Sequence, residues 1–148
     1  MMNHSYNHPL RSGLVKQLVF IDENRTELLN QYLSSAPTRD RNLKFFEQYV
    51  SEIEHLISSL GNQASACLNK VYIGTEVSVL YEDDQFTDQF TICFPEQSNP
   101  EQGCISFLSP VGNQLLLREL GERVVLCTPT GETSVVIQNI QYNEGMVW

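Results

Sequence analysis

The strongest pattern in the chain lies between residues 43 and 60. Leu43, Phe46, Val50, Ile53, Ile57 and Leu60 recur at intervals of 3, 4, 3, 4 and 3, the seam of a helix that pairs with another helix. Phe45, Tyr49 and Leu56 widen the apolar face, so this helix must bury more than one stripe. Gly61-Asn62 ends it. Upstream, Leu28, Leu29, Tyr32 and Leu33 mark one side of a shorter helix. It is predicted to start behind Asp22 as N-cap, after the apolar run 18–21. The stretch 34–42, with Pro37, breaks the pattern. The two helices predict a short antiparallel hairpin over residues 18–62. Residues 1–17 are polar and carry Pro9 and Gly13, which predicts a flexible arm. Residues 62–66 read as a linker.

Beyond residue 70 the period changes to two. Val77, Val79 and Tyr81 share one face of a strand over 75–81. An acidic turn follows, then a strand over 86–94 with Phe90, Ile92 and Phe94 on one face. Residues 95–103, with Pro95, Pro100 and Gly103, predict a longer loop. Residues 105–108 alternate like a strand. Ser109 then suits an N-cap and Pro110 the first helical position, where a missing N–H costs nothing. Leu115, Leu116 and Leu117 give this short helix a buried side, and Gly121 is expected just past its end. Residues 124–128 read as a strand, Pro129-Thr130-Gly131 as a turn, and Val135, Ile137, Ile140 and Tyr142 as the inner face of a closing strand. Helices followed by an antiparallel sheet with one short helix make the chain α+β, with the sheet domain over 70–148.

Charge narrows the partners. The formal charge is −9, and after residue 70 eleven acids face only Arg118 and Arg123, with Lys70 at the boundary. Such a surface repels phosphate backbones, which disfavours direct nucleic-acid binding and favours a protein partner with a basic face. Cys67, Cys93, Cys104 and Cys127 contain no C-x-x-C pair, so no zinc site is expected, and the last three lie in or beside apolar strand runs, where small buried thiols are expected. The first residues lack the basic start and apolar run of a signal peptide, and no stretch reaches the roughly 20 apolar residues of a membrane span. A reduced, cytoplasmic protein is the expectation.

No nucleophile with a base is evident. His55 lies mid-helix beside Glu54 without a partner motif. His4 and His8 have a metal-gripping spacing, but Pro9 opposes a helix there. No glycine-rich phosphate loop is present. The chain is expected to be no enzyme and to need no metal or cofactor.

Ile105-Ser106, Ser109-Pro110, Leu116, Gly121-Glu122, Val124 to Leu126 and Thr128-Pro129-x-Gly131-Glu132, in that order and spacing, resemble the carboxy-terminal domain of the bacterial Gre transcript-cleavage factors. The lead-in from Val71 to Val79, the acidic turn and Phe90-Thr91-Ile92 resemble it too, so the likeness runs over roughly residues 70–142. It implies an FKBP-like sheet domain that docks on RNA polymerase at the rim of the secondary channel. It also implies a coiled coil whose acidic tip helps the polymerase hold a metal ion and cut its own transcript. Carried over residue by residue, the contact loop falls on Ser109 and Pro110, with Leu108 where some members have an acid. The hairpin tip falls on Arg39, Asp40 and Arg41.

The tip departs from the family pattern. A lone carboxylate between two guanidiniums pairs with them sooner than it recruits Mg²⁺. Length departs too: residues 41–60 make about 30 Å of helix and the first helix about 20 Å, where arms of roughly thirty residues make about 45 Å. The chain therefore resembles the short-coiled-coil branch that includes the regulator of nucleoside diphosphate kinase. The expected function is a polymerase-binding elongation regulator that promotes no cleavage, meets nucleic acid only through the polymerase and binds no membrane. Two alternatives stand beside it: an active cleavage factor using Asp40 and Glu47, and an FKBP-like peptidyl-prolyl isomerase.

Overall fold

Helix begins well before Asp22. The computed structural model describes residues 9–35, 45–60, 68–128 and 130–143, and its first helix, α1, runs Pro9–Glu23. The arm expected over 1–17 is thus helical from Pro9 onward, and the apolar run 18–21 lies inside a helix instead of before one. The reason is a stripe with a polar member. Leu14, Gln17 and Ile21 are all buried at helical spacing, but Gln17 conceals the period in the sequence. Tyr49 in α3 (Phe45–Leu60) donates its hydroxyl hydrogen to the Gln17 side-chain carbonyl, so the amide is buried with a partner.

Asn24 separates α1 from α2 (Arg25–Ser35). Its backbone N–H and its side-chain amide both donate to the Phe20 carbonyl, at 3.0 and 2.9 Å. A side chain competing for a helical acceptor interrupts the ladder. Among the described residues the amino-terminal unit therefore holds three helices where the sequence predicts two. α3 packs on α1 and meets α2 through rings: Tyr32 stacks on Phe45 at 4.8 Å and meets Phe46 edge-on at 6.0 Å. The predicted tip, Arg39-Asp40-Arg41, and the linker over 62–66 lie outside the described residues.

The second compact unit runs Ala66–Met146. Its five strands are β1 (Thr75–Tyr81), β2 (Phe86–Cys93), β3 (Cys104–Ser106), β4 (Arg123–Thr128) and β5 (Gly131–Tyr142), in the order β3-β2-β1-β5-β4. β1 pairs antiparallel with β2 and β5, and β5 with β4. β3 runs parallel to β2, so the sheet is mixed where an antiparallel one was predicted. The long loop, built from two 3₁₀ turns at Pro95–Gln97 and Pro100–Gln102, carries the chain back to the level of Thr91, and β3 then runs alongside the last three residues of β2 in the same direction.

β5 contains a register shift. Ser78 faces Asn139 and Val79 faces Ile137, which leaves Gln138 as the extra residue of a bulge. The bulge lets Ile137 and Ile140, three apart, both point into the core. There they join Val77, Val79, Ile92, Val124, Leu126 and Val135, all buried. Phe94 and Phe107 meet edge-to-face at 5.9 Å beside Leu115 of α4 (Pro110–Leu115). Residues before β1 belong to this unit as well. The Val71 N–H donates to the Arg118 carbonyl, the Val71 carbonyl accepts from the Leu117 N–H, and Leu120 donates to the Asn69 carbonyl.

Candidate docking corner

The turn from β3 into α4 is held by two serines three residues apart. The Ser106 hydroxyl oxygen accepts from the Leu108 N–H at 3.0 Å. The Ser106 carbonyl accepts from both the backbone N–H and the hydroxyl of Ser109, at 3.0 and 2.7 Å. Ser109 is extended at φ −67°, ψ 157°, and its hydroxyl oxygen accepts from the Gly112 N–H at 3.1 Å. That is the N-cap predicted from sequence, with Pro110 at the first helical position. Leu108 and Ser109 are half-buried and Pro110 is exposed. The three predicted contact residues therefore form one corner, with the proline outermost.

Gly112 fixes how closely α4 approaches β3. A Cβ there would stand 2.2 Å from the Ser106 carbonyl oxygen and 2.9 Å from the Ser109 hydroxyl oxygen, distances no carbon tolerates. Only glycine lets the helix start so near the strand end. Ser106 and Gly112 complete the corner beyond the Leu108-Ser109-Pro110 expected from sequence, and the i, i+3, i+6 spacing of Ser106, Ser109 and Gly112 is the sequence signal for it.

The far end of α4 differs from expectation. Leu116 closes the helix and Leu117 takes the left-handed conformation at φ 65°, where Gly121 was expected. Gly121, at φ 86°, instead serves the bend into β4, its N–H donating to Ile137. Arg118 returns to the helix, donating from Nε to the Gln114 carbonyl at 3.0 Å and pairing with Glu122 at 2.9 Å. The Glu119 backbone N–H, reinforced by Arg118, holds the Glu122 carboxyl below its usual range.

Both arginines of this unit are thus engaged by its own acids, since Arg123 pairs with Glu82 at 2.8 Å. Asp83, Asp84, Glu96, Glu101, Glu119 and Glu132 are exposed, so the surface of this unit is acidic. Among the described residues, no group of three His, Cys, Asp or Glu side chains could hold a metal ion, and no helix is long and apolar enough to cross a membrane.

The fold and the corner define an α+β module that presents a hydrogen-bonded serine–proline turn. Residues 65–142 match the family model described as "Transcription elongation factor, GreA/GreB, C-term", and the chain belongs to that family. It is 33% identical over 97 residues to the transcription elongation factor GreA of Chloroflexus aggregans, covering 64% of this chain and 62% of the relative. With GreA of Wolinella succinogenes it shares 29% over 102 residues, 68% of this chain and 63% of the relative. The matched stretch thus spans less than two-thirds of these relatives' length. Among solved structures, GreA factor homolog 1 of Thermus thermophilus superposes at a TM-score of 0.46 with 22% identity, over 88% of this chain and 94% of the other.

Proposed function

We propose that this protein is a cytoplasmic regulator of transcription elongation. It binds RNA polymerase at the secondary channel through the Leu108-Ser109-Pro110 corner, and it promotes no transcript cleavage. It acts as a docking protein and not as an enzyme, needs no metal or cofactor, and meets nucleic acid only through the polymerase. The observation that carries this reading is the family match over residues 65–142 with the serine–proline pair built as a hydrogen-bonded turn whose proline is exposed. A contact element whose backbone is already fixed loses little conformational entropy on binding.

Two features support the absence of cleavage and the placement in the short-coiled-coil branch that resembles the regulator of nucleoside diphosphate kinase. Asp40 stands between Arg39 and Arg41, a poor setting for a cation. Within the described residues, α2 and α3, the helices on either side of that tip in sequence, have 11 and 16 residues and rise about 16 and 24 Å, below arms of about 45 Å. Against prolyl isomerisation, Phe94 and Phe107 are buried in the core, where they pack on each other instead of facing a substrate.

Capture of purified core RNA polymerase by the full chain tests docking. Binding at micromolar concentration is expected, and weaker binding in Ser109→Ala. No capture, with a GreA protein as positive control, would refute the reading. A stalled elongation complex tests the second part: transcript length is expected to stay unchanged. Shortening that disappears in Asp40→Ala would instead establish a cleavage factor.

A further inference from the structure

We propose that Gln114 is a positioning residue for the docking corner, clamping α4 onto the open edge of β4 so that Pro110 is presented at a fixed place. The inference rests on the docking reading above. β4 is an outer strand of the sheet, so alternate residues direct their backbone N–H and C=O away from β5. At Cys127 the Gln114 side chain meets both groups. Its Oε1 accepts from the Cys127 N–H at 2.8 Å and its Nε2 donates to the Cys127 carbonyl at 3.0 Å. The amide imitates the peptide of an added strand.

The second Nε2 hydrogen goes to the Pro110 carbonyl at 2.8 Å. One side chain therefore ties the docking proline to the sheet edge, 13 residues on in sequence from Gln114. Its orientation is fixed by chemistry, because the Cys127 N–H can only donate and the two carbonyls can only accept. A helix of six residues has no independent stability. Its direction is set by such ties: the Ser109 cap at its start, the Gln114 clamp, and Arg118 on the Gln114 carbonyl. The clamp also fills backbone sites that an incoming strand would use.

The test compares the full-length wild type with Gln114→Met, which keeps length and removes all three bonds, and with Ser109→Ala and the double variant. Affinity for core RNA polymerase, thermal midpoint and amide hydrogen exchange at Cys127 and Gly112 are measured. Gln114→Met is expected to weaken binding about tenfold and, because three solvent-exposed bonds are lost together, to lower the thermal midpoint by about 5 °C. Its loss should be non-additive with that of Ser109→Ala, since both act on one corner, and exchange at Cys127 and Gly112 should quicken. Wild-type affinity in Gln114→Met, or strictly additive losses, would overturn the inference while leaving docking intact. Absence of binding by the wild type would remove the docking reading and this inference together.

Discussion

Gly112→Ala places the close approach of α4 to β3 under direct test. The added methyl would lie 2.2 Å from the Ser106 carbonyl oxygen, about 1 Å inside ordinary carbon–oxygen contact. That oxygen is backbone, anchored by Ser109 through two bonds, so it cannot swing aside as a side-chain tip would. α4 must move outward, and the move strains the Ser109–Gly112 cap at 3.1 Å. Overpacking of this kind costs about 1–3 kcal/mol, and a weakened cap adds about 1 kcal/mol. The higher helix propensity of alanine returns about 1 kcal/mol. The balance is a destabilisation of about 1–3 kcal/mol, which in a domain of this size lowers the thermal midpoint by about 5–20 °C. Urea and thermal unfolding followed by circular dichroism measure it. A midpoint unchanged or raised in Gly112→Ala would show that helix propensity outweighs the approach, and the account of the corner would fail.

Three further outcomes are expected. Cys93 is buried, and burial, with a smaller contribution from Cys104, pushes its thiol up to about 11. The thiol reagent DTNB should therefore modify exposed Cys127 quickly and Cys93 only on unfolding; the stability tied to the protonated Cys93 thiol is complete below the ordinary value near 9 and is lost as pH rises toward 11, and fast native-state labelling of Cys93 would contradict this. Tyr49→Phe removes the buried bond to Gln17 and should cost about 1–2 kcal/mol in urea unfolding of the helical unit, whereas a neutral result would mean that α1 and α3 do not depend on it. The lowered Glu122 carboxyl contributes stability that is full above the usual carboxylate range and lost as pH falls through its folded value; Glu122→Gln should flatten that acid limb, and an unchanged limb would assign it to other carboxylates.

Period and caps determined much of this protein. The alternation at Val77, Val79 and Tyr81, the Ser109 cap with Pro110, and the seam from Phe46 to Ile53 are local signals: each depends on neighbours within one or two turns, so it is visible without coordinates. The tertiary structure decided the rest, and each case has a long-range cause. Gln17 could be recognised as a core residue only once Tyr49, 32 residues away, supplied its partner. The parallel course of β3 followed from the path of a loop, and the bulge at Gln138 from the need to turn both Ile137 and Ile140 inward. Leu117 takes the left-handed conformation more usual for glycine while its N–H bonds to Val71, distant in sequence, at 2.7 Å. Gln114 read as an ordinary polar helix residue until folding brought the backbone of Cys127 against it. A sequence states which residues prefer which local geometry, whereas pairing between distant segments is set by the whole packed chain.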